Sequence, residues 1–199
     1  MAHRARQRAV GGQAAITTAL ALAPALAQAH PGHGANGFAS GFAHPVHGLD
    51  HILAMIAVGL WAVQLGGRAK WLVPAAFVSV MTLGGALGMA GVAVPFAEQG
   101  IVASVLVLGV FIAAALRLPV AASMAVVGVF ALCHGYAHGV EMPQTAAGFS
   151  YGLGFAGATA LLHACGIGAA LMLQRSAESR WLRATGVAIC AASAMLFLN

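Results

Sequence analysis

From Asp50 to Leu198 the chain is a series of six apolar runs with short breaks between them, at approximately 50–66, 71–93, 100–117, 119–140, 146–173 and 181–198. Most approach the ~20 residues that an α-helix needs to cross the hydrocarbon core of a bilayer. The breaks hold Gly67-Arg68, Pro95, Pro119, Pro143 and the polar stretch from Gln174 to Arg183. No water-soluble surface can be assembled from these runs. Only 7% of the residues are charged and 61% are hydrophobic, whereas a soluble domain carries about 25% charged residues. In lipid, every backbone polar group must be satisfied within the protein, which leaves the helix as the structure for runs of this length. The predicted fold is an all-α integral membrane protein with a six-helix transmembrane bundle, residues 30–199. Short connections make neighbouring helices antiparallel.

A cleavable signal peptide, residues 1–29, is expected ahead of the bundle. His3, Arg4, Arg6 and Arg8 form a basic start, Ala14 to Ala27 a short apolar stretch, and Ala27-Gln28-Ala29 an A-x-A cleavage site. No twin-arginine pair occurs, so export is expected by the general secretory route. An exported start puts His30 outside the inner membrane of a bacterium. Alternating six helices then sets Arg68, Lys70, Arg117, Arg175, Arg180 and Arg183 on the cytoplasmic side. That placement satisfies the positive-inside rule independently of the leader. The net charge of +5 therefore reads as topology. Basic and aromatic residues do not interleave into a nucleic-acid surface, and no nucleic acid is expected as a partner.

Cys133, Cys165 and Cys190 are odd in number, lie in apolar runs and form no C-x-x-C, so neither a disulfide framework nor a thiolate zinc site is indicated. Gly84 and Gly88, and Gly148 and Gly152, have the spacing of close helix packing. Homo-oligomerisation is left open.

Nine histidines against four acids is an unusual balance, because polar groups inside a membrane are costly and tend to be functional. The stretch HPVHGLDHILAMIAVGLWA, from His44, places His44, His47, Asp50 and His51 at the outer mouth of the first span. HGYAHGVE, from His134 to Glu141, does the same at the outer end of the fourth. Both contain HGxxH, and histidines four apart on a helix share a face. His47 with His51, and His134 with His138 continued by Glu141, are read as two such pairs. Asp50 lies beside the first pair, Met55 one turn deeper. His163 in the fifth run, with Thr159 one turn away, is a third element nearer mid-membrane. Imidazole with carboxylate suits divalent first-row metals, among them nickel, cobalt and zinc. The metal residues expected are His44, His47, Asp50, His51, His134, His138, Glu141 and His163. Each has a plainer alternative: Asp50 as a helix N-terminal charge, Glu141 as an outer-loop carboxylate, His163 and Met55 as packing residues. His30 and His33 are either a loose tail or a metal collector.

These motifs resemble those of the HupE/UreJ family of nickel/cobalt permeases. The first resembles HPxxGxDHxxxMxxVG at His44, Pro45, Gly48, Asp50, His51, Met55, Val58 and Gly59. The second is carried by His134, Gly135, His138, Gly139, Glu141 and Pro143, and ATALLHACGIG around His163 is similar to a third family segment. The resemblance covers essentially the whole chain. It implies uptake of nickel or cobalt, serving hydrogenase or urease maturation or cobalamin synthesis, while the ligand chemistry alone also leaves zinc possible. The metal is then cargo, no catalytic cofactor is expected, and the chain is not an enzyme. Two rivals remain at this stage: a membrane-embedded metalloenzyme, for which the H-E-x-x-H arrangement is missing, and a metal or haem sensor. No G-x-x-x-x-G-K-[ST] motif is present, so the energy source is either the membrane potential, worth ~4.6 kcal/mol per 100 mV for a divalent cation, or a proton gradient.

Overall fold

Each apolar run becomes a helix, and the glycines and prolines between them become turns. The computed structural model describes residues 37–142, 146–175 and 179–198, within the compact unit Asn36–Asn199. The expected signal peptide, and the His30 and His33 tail, lie outside the described residues. Helix α1 (Gly37–Ala43) runs into a 3-10 turn, His44–Val46. Then follow α2 (Leu49–Leu65), α3 (Ala69–Met89), α4 (Ala97–Ala113), α5 (Val120–Glu141), α6 (Ala146–Arg175) and α7 (Ser179–Leu198). The described residues contain no strand. Helices α3, α5 and Ala147–Arg175 of α6 are long and apolar enough to cross a membrane. Gly37–Val46, which is α1 with the turn, together with α2 makes a fourth candidate, as one broken span bent by 80°. Helix α4 is apolar but has only 17 residues.

The break at Gly48 corrects one expectation from the sequence. His47 and His51 do not lie on one helix: His47 closes the 3-10 turn and Gly48, in extended conformation, is the N-cap of α2. The i, i+4 rule applies only within a continuous helix. His134 and His138 do share α5, which runs unbroken through both.

Backbone contact between helices explains the motif glycines. A Cβ on Gly135 would strike the Met81 backbone of α3, and one on Gly139 the Gly85 backbone. Gly84 and Gly88 are similarly closed by Leu132, Tyr136 and Gly139 of α5. Helices α3 and α5 thus back directly onto one another beside the α5 histidines, as small residues allow in membranes. Gly59 of α2 abuts the backbone of His163 and Gly166 in α6. Gly152 differs: a Cβ there would meet nothing within 4 Å. The spacing of Gly148 and Gly152 therefore does not reflect packing of Gly152 within this chain.

The core has two characters. Around α2 it is dry: Val58, Trp61, Val73, Val105, Leu108 and Ile112 have essentially no exposure. At the end of α2 away from His51, side chains bond carbonyls in the last turn of α4 and just beyond it. Trp61 Nε1 donates to Leu116 O at 3.0 Å, Gln64 Nε2 to Ile112 O at 3.1 Å and Arg183 Nε to Ala113 O at 2.8 Å. Arg68 and Arg117 flank the same ends of α2 and α5. Basic residues and histidines thus occupy opposite ends of these helices.

Candidate metal centre

Asp50 and His51 behave as one unit. Asp50 Oδ1 accepts from the backbone N–H of His51 at 2.8 Å and from its Nδ1 at 2.8 Å. Gly48 makes the room, since a Cβ there would come within 2.7 Å of Asp50 Oδ1 and 2.9 Å of His51 Nδ1. A carboxylate accepts, so Nδ1 carries the proton and Nε2 keeps its lone pair in the neutral ring. This is the outer-shell arrangement that orients metal-binding imidazoles.

His134 and His163 are fixed in the same sense by backbone carbonyls, which can only accept. His134 Nδ1 donates to Phe130 O at 2.9 Å, one turn back on α5. His163 Nδ1 donates to Met55 O at 2.8 Å, across to α2. In both rings Nε2 is buried without a hydrogen-bond partner. Their exposures are 0% and 2%. Buried polar atoms are normally satisfied, so such orphans call for an explanation.

The rings then converge. His51 Nε2 lies 2.5 Å from His138 Nε2. His51 stands edge-on to His134 with centroids 5.1 Å apart. The 3-10 turn brings in His44, whose centroid is 4.4 Å from that of His138. Tyr151 and Phe155 of α6 close over His44, and Phe155 also touches His51 and His138. The cluster is thus drawn from the turn, α2 and α5, under an aromatic cover from α6. Beside His138 a cavity of about 270 Å³ is lined by Met81, Gly85, Gly152 and Phe155, among other apolar residues.

Of the eight expected metal residues, His44, Asp50, His51, His134 and His138 come together. His47 does not: it is exposed and its Nδ1 is held by Ala43 O at 2.7 Å. Glu141 is exposed at the last residue of α5. His163 is buried below the cluster and has no ring contact with His44, His51 or His138 among the described residues; it touches Phe77. Met55 is core, with 0% exposure. Among the described residues no three His, Cys, Asp or Glu side chains form a group able to hold an ion as they stand. Two nitrogens bound to one ion at about 2.1 Å would stand about 3.0 Å apart at an octahedral angle and about 3.4 Å at a tetrahedral one, so the His51–His138 contact is too tight to admit one without a small opening. Phe77, Tyr151 and Phe155 were not legible as site residues. Nothing distinguishes them in sequence from other aromatics of apolar runs.

The family model described as HupE / UreJ protein matches residues 18–196. A protein of Rhizobium leguminosarum bv. viciae, Protein HupE, is 45% identical over 184 residues, covering 92% of this chain and 96% of that protein. No solved structure matches.

Proposed function

The chain belongs to the HupE/UreJ family, and on that premise we propose that it is a six-span permease of the bacterial inner membrane that takes up nickel, or cobalt, from the periplasm. The observation that carries the reading is the shared tautomer. His51, His134 and His163 each have Nδ1 committed to an oxygen acceptor, which leaves Nε2 as a lone pair. That is how proteins prepare imidazoles for a metal ion. The cluster lies at the end of the helices opposite Arg68 and Arg117, which the positive-inside rule assigns to the cytoplasm. The histidines then face the periplasm.

In this reading the metal is substrate. His44, His51, His134 and His138 replace part of its water shell, and Asp50 holds His51 in register and supplies negative charge. The His51 and His138 rings part by about 0.5–0.9 Å to seat it. His163 receives the ion deeper. Neutral imidazoles with one supporting carboxylate bind without trapping, as conduction requires. No chemical step is needed, so the chain is a transporter and not an enzyme.

The test is uptake of radioactive nickel and cobalt into proteoliposomes, with voltage and pH gradients set separately. Saturable uptake abolished in Asp50→Ala and His138→Ala is the expected result, and the gradient dependence identifies the energy source. Tight nickel binding without flux would remove the permease reading.

A further inference from the structure

Between the histidine cluster and His163 there is one shared neighbour. The ring of Phe77 has 0% exposure. Its centroid lies 5.5 Å from that of His134 and 5.0 Å from that of His163, edge-on or T-shaped to both. Among the described residues no other ring touches both. The two imidazoles are also the two whose buried Nε2 atoms lack partners while their Nδ1 atoms are tied to backbone carbonyls. Phe77 is therefore the ring shared by the two imidazoles whose Nε2 atoms are unpartnered.

We propose that Phe77 is a transfer residue: the cation passes from His134 to His163 across its aromatic face. This rests on the permease reading. An aromatic face carries negative quadrupole charge and attracts a cation, most strongly where water is excluded, while an alkyl side chain of similar size offers nothing. The surroundings make the distinction matter. Val73, one turn before Phe77 on α3, is fully buried and apolar, and Thr159 Oγ1 is already engaged with Met81 Sδ at 3.6 Å.

The experiment replaces Phe77 with mono-, di- and trifluorinated phenylalanine, which keeps ring size while draining charge from its face, alongside Phe77→Leu. Nickel influx into proteoliposomes and equilibrium nickel binding are measured on the same preparations. Influx should fall with each fluorine, by about tenfold or more at three and in Phe77→Leu, while binding stays within about threefold of the unsubstituted protein. Influx that is flat across the series and normal in Phe77→Leu overturns the proposal, because the ring is then an apolar filler. Binding that falls in parallel with influx also overturns it, because Phe77 then only shapes the cluster. Failure of the permease reading looks different: the unsubstituted protein binds nickel and gives no influx, and the proposal falls with it.

Discussion

Nε2 of His51 stands 2.5 Å from Nε2 of His138, although 87 residues separate them in the chain. Two imidazole lone pairs cannot be held this close without a proton or a cation between them. Since Nδ1 of His51 already donates to Asp50, its Nε2 is the acceptor and His138 holds the intervening proton. A metal ion is the natural competitor for that proton.

Removing either ring should therefore lower nickel affinity. We predict that His138→Ala and His51→Ala each weaken nickel binding by more than about tenfold, and that Asp50→Asn, which keeps shape but loses charge, weakens it about 10- to 100-fold as outer-shell changes do. Isothermal titration of the purified protein checks this. Unchanged affinity in Asp50→Asn would show that the carboxylate does not tune His51.

Gly48→Ala tests the same unit without touching a ligand. The added Cβ would sit 2.7 Å from Asp50 Oδ1 and 2.9 Å from His51 Nδ1, so the pair must shift. The expected outcome is a nickel affinity reduced about tenfold, with helix content by circular dichroism unchanged. Wild-type affinity would mean that the hydrogen-bonded pair tolerates displacement.

The pH dependence has a definite sign. Only a neutral imidazole ligates, because a protonated ring has no lone pair to offer. Protons compete with the metal, so affinity is full where the ligating rings are neutral and is lost as pH falls through their protonation. Titrations from pH 8 down to the acid limit of the folded protein should show nickel affinity lost toward acid and never gained. Affinity that rises toward acid would contradict imidazole ligation.

The helix contacts give a stability contrast. Gly139→Ala forces a methyl group against the Gly85 backbone, its carbonyl carbon 2.8 Å away, and should cost about 1–3 kcal/mol as overpacking does. Gly152→Ala meets nothing within 4 Å and should be neutral. Unfolding of the two variants in detergent, side by side, checks the difference. Equal stability would show that α3 and α5 can separate at no cost.

Much of this was legible from local pattern. Apolar run length placed the helices to within a few residues, because a helix satisfies its backbone locally wherever lipid excludes water. His134 and His138 were paired correctly because both sit inside one uninterrupted helix. The His47–His51 pair was misread because the spacing was carried across Gly48, where the helix had not begun.

The sequence by itself determined the class of the protein and the ends at which histidines and cations gather, both of which depend on residues a few positions apart. Only the tertiary structure decided that His44 joins the cluster while His47 stays outside it, that Asp50 acts on Nδ1 of His51, that α6 covers the cluster with Tyr151 and Phe155, and that Phe77 lies between His134 and His163. Those relations depend on an 80° bend and on glycine contacts between α3 and α5. Such contacts are set by how whole helices pack, and chain spacing does not encode them.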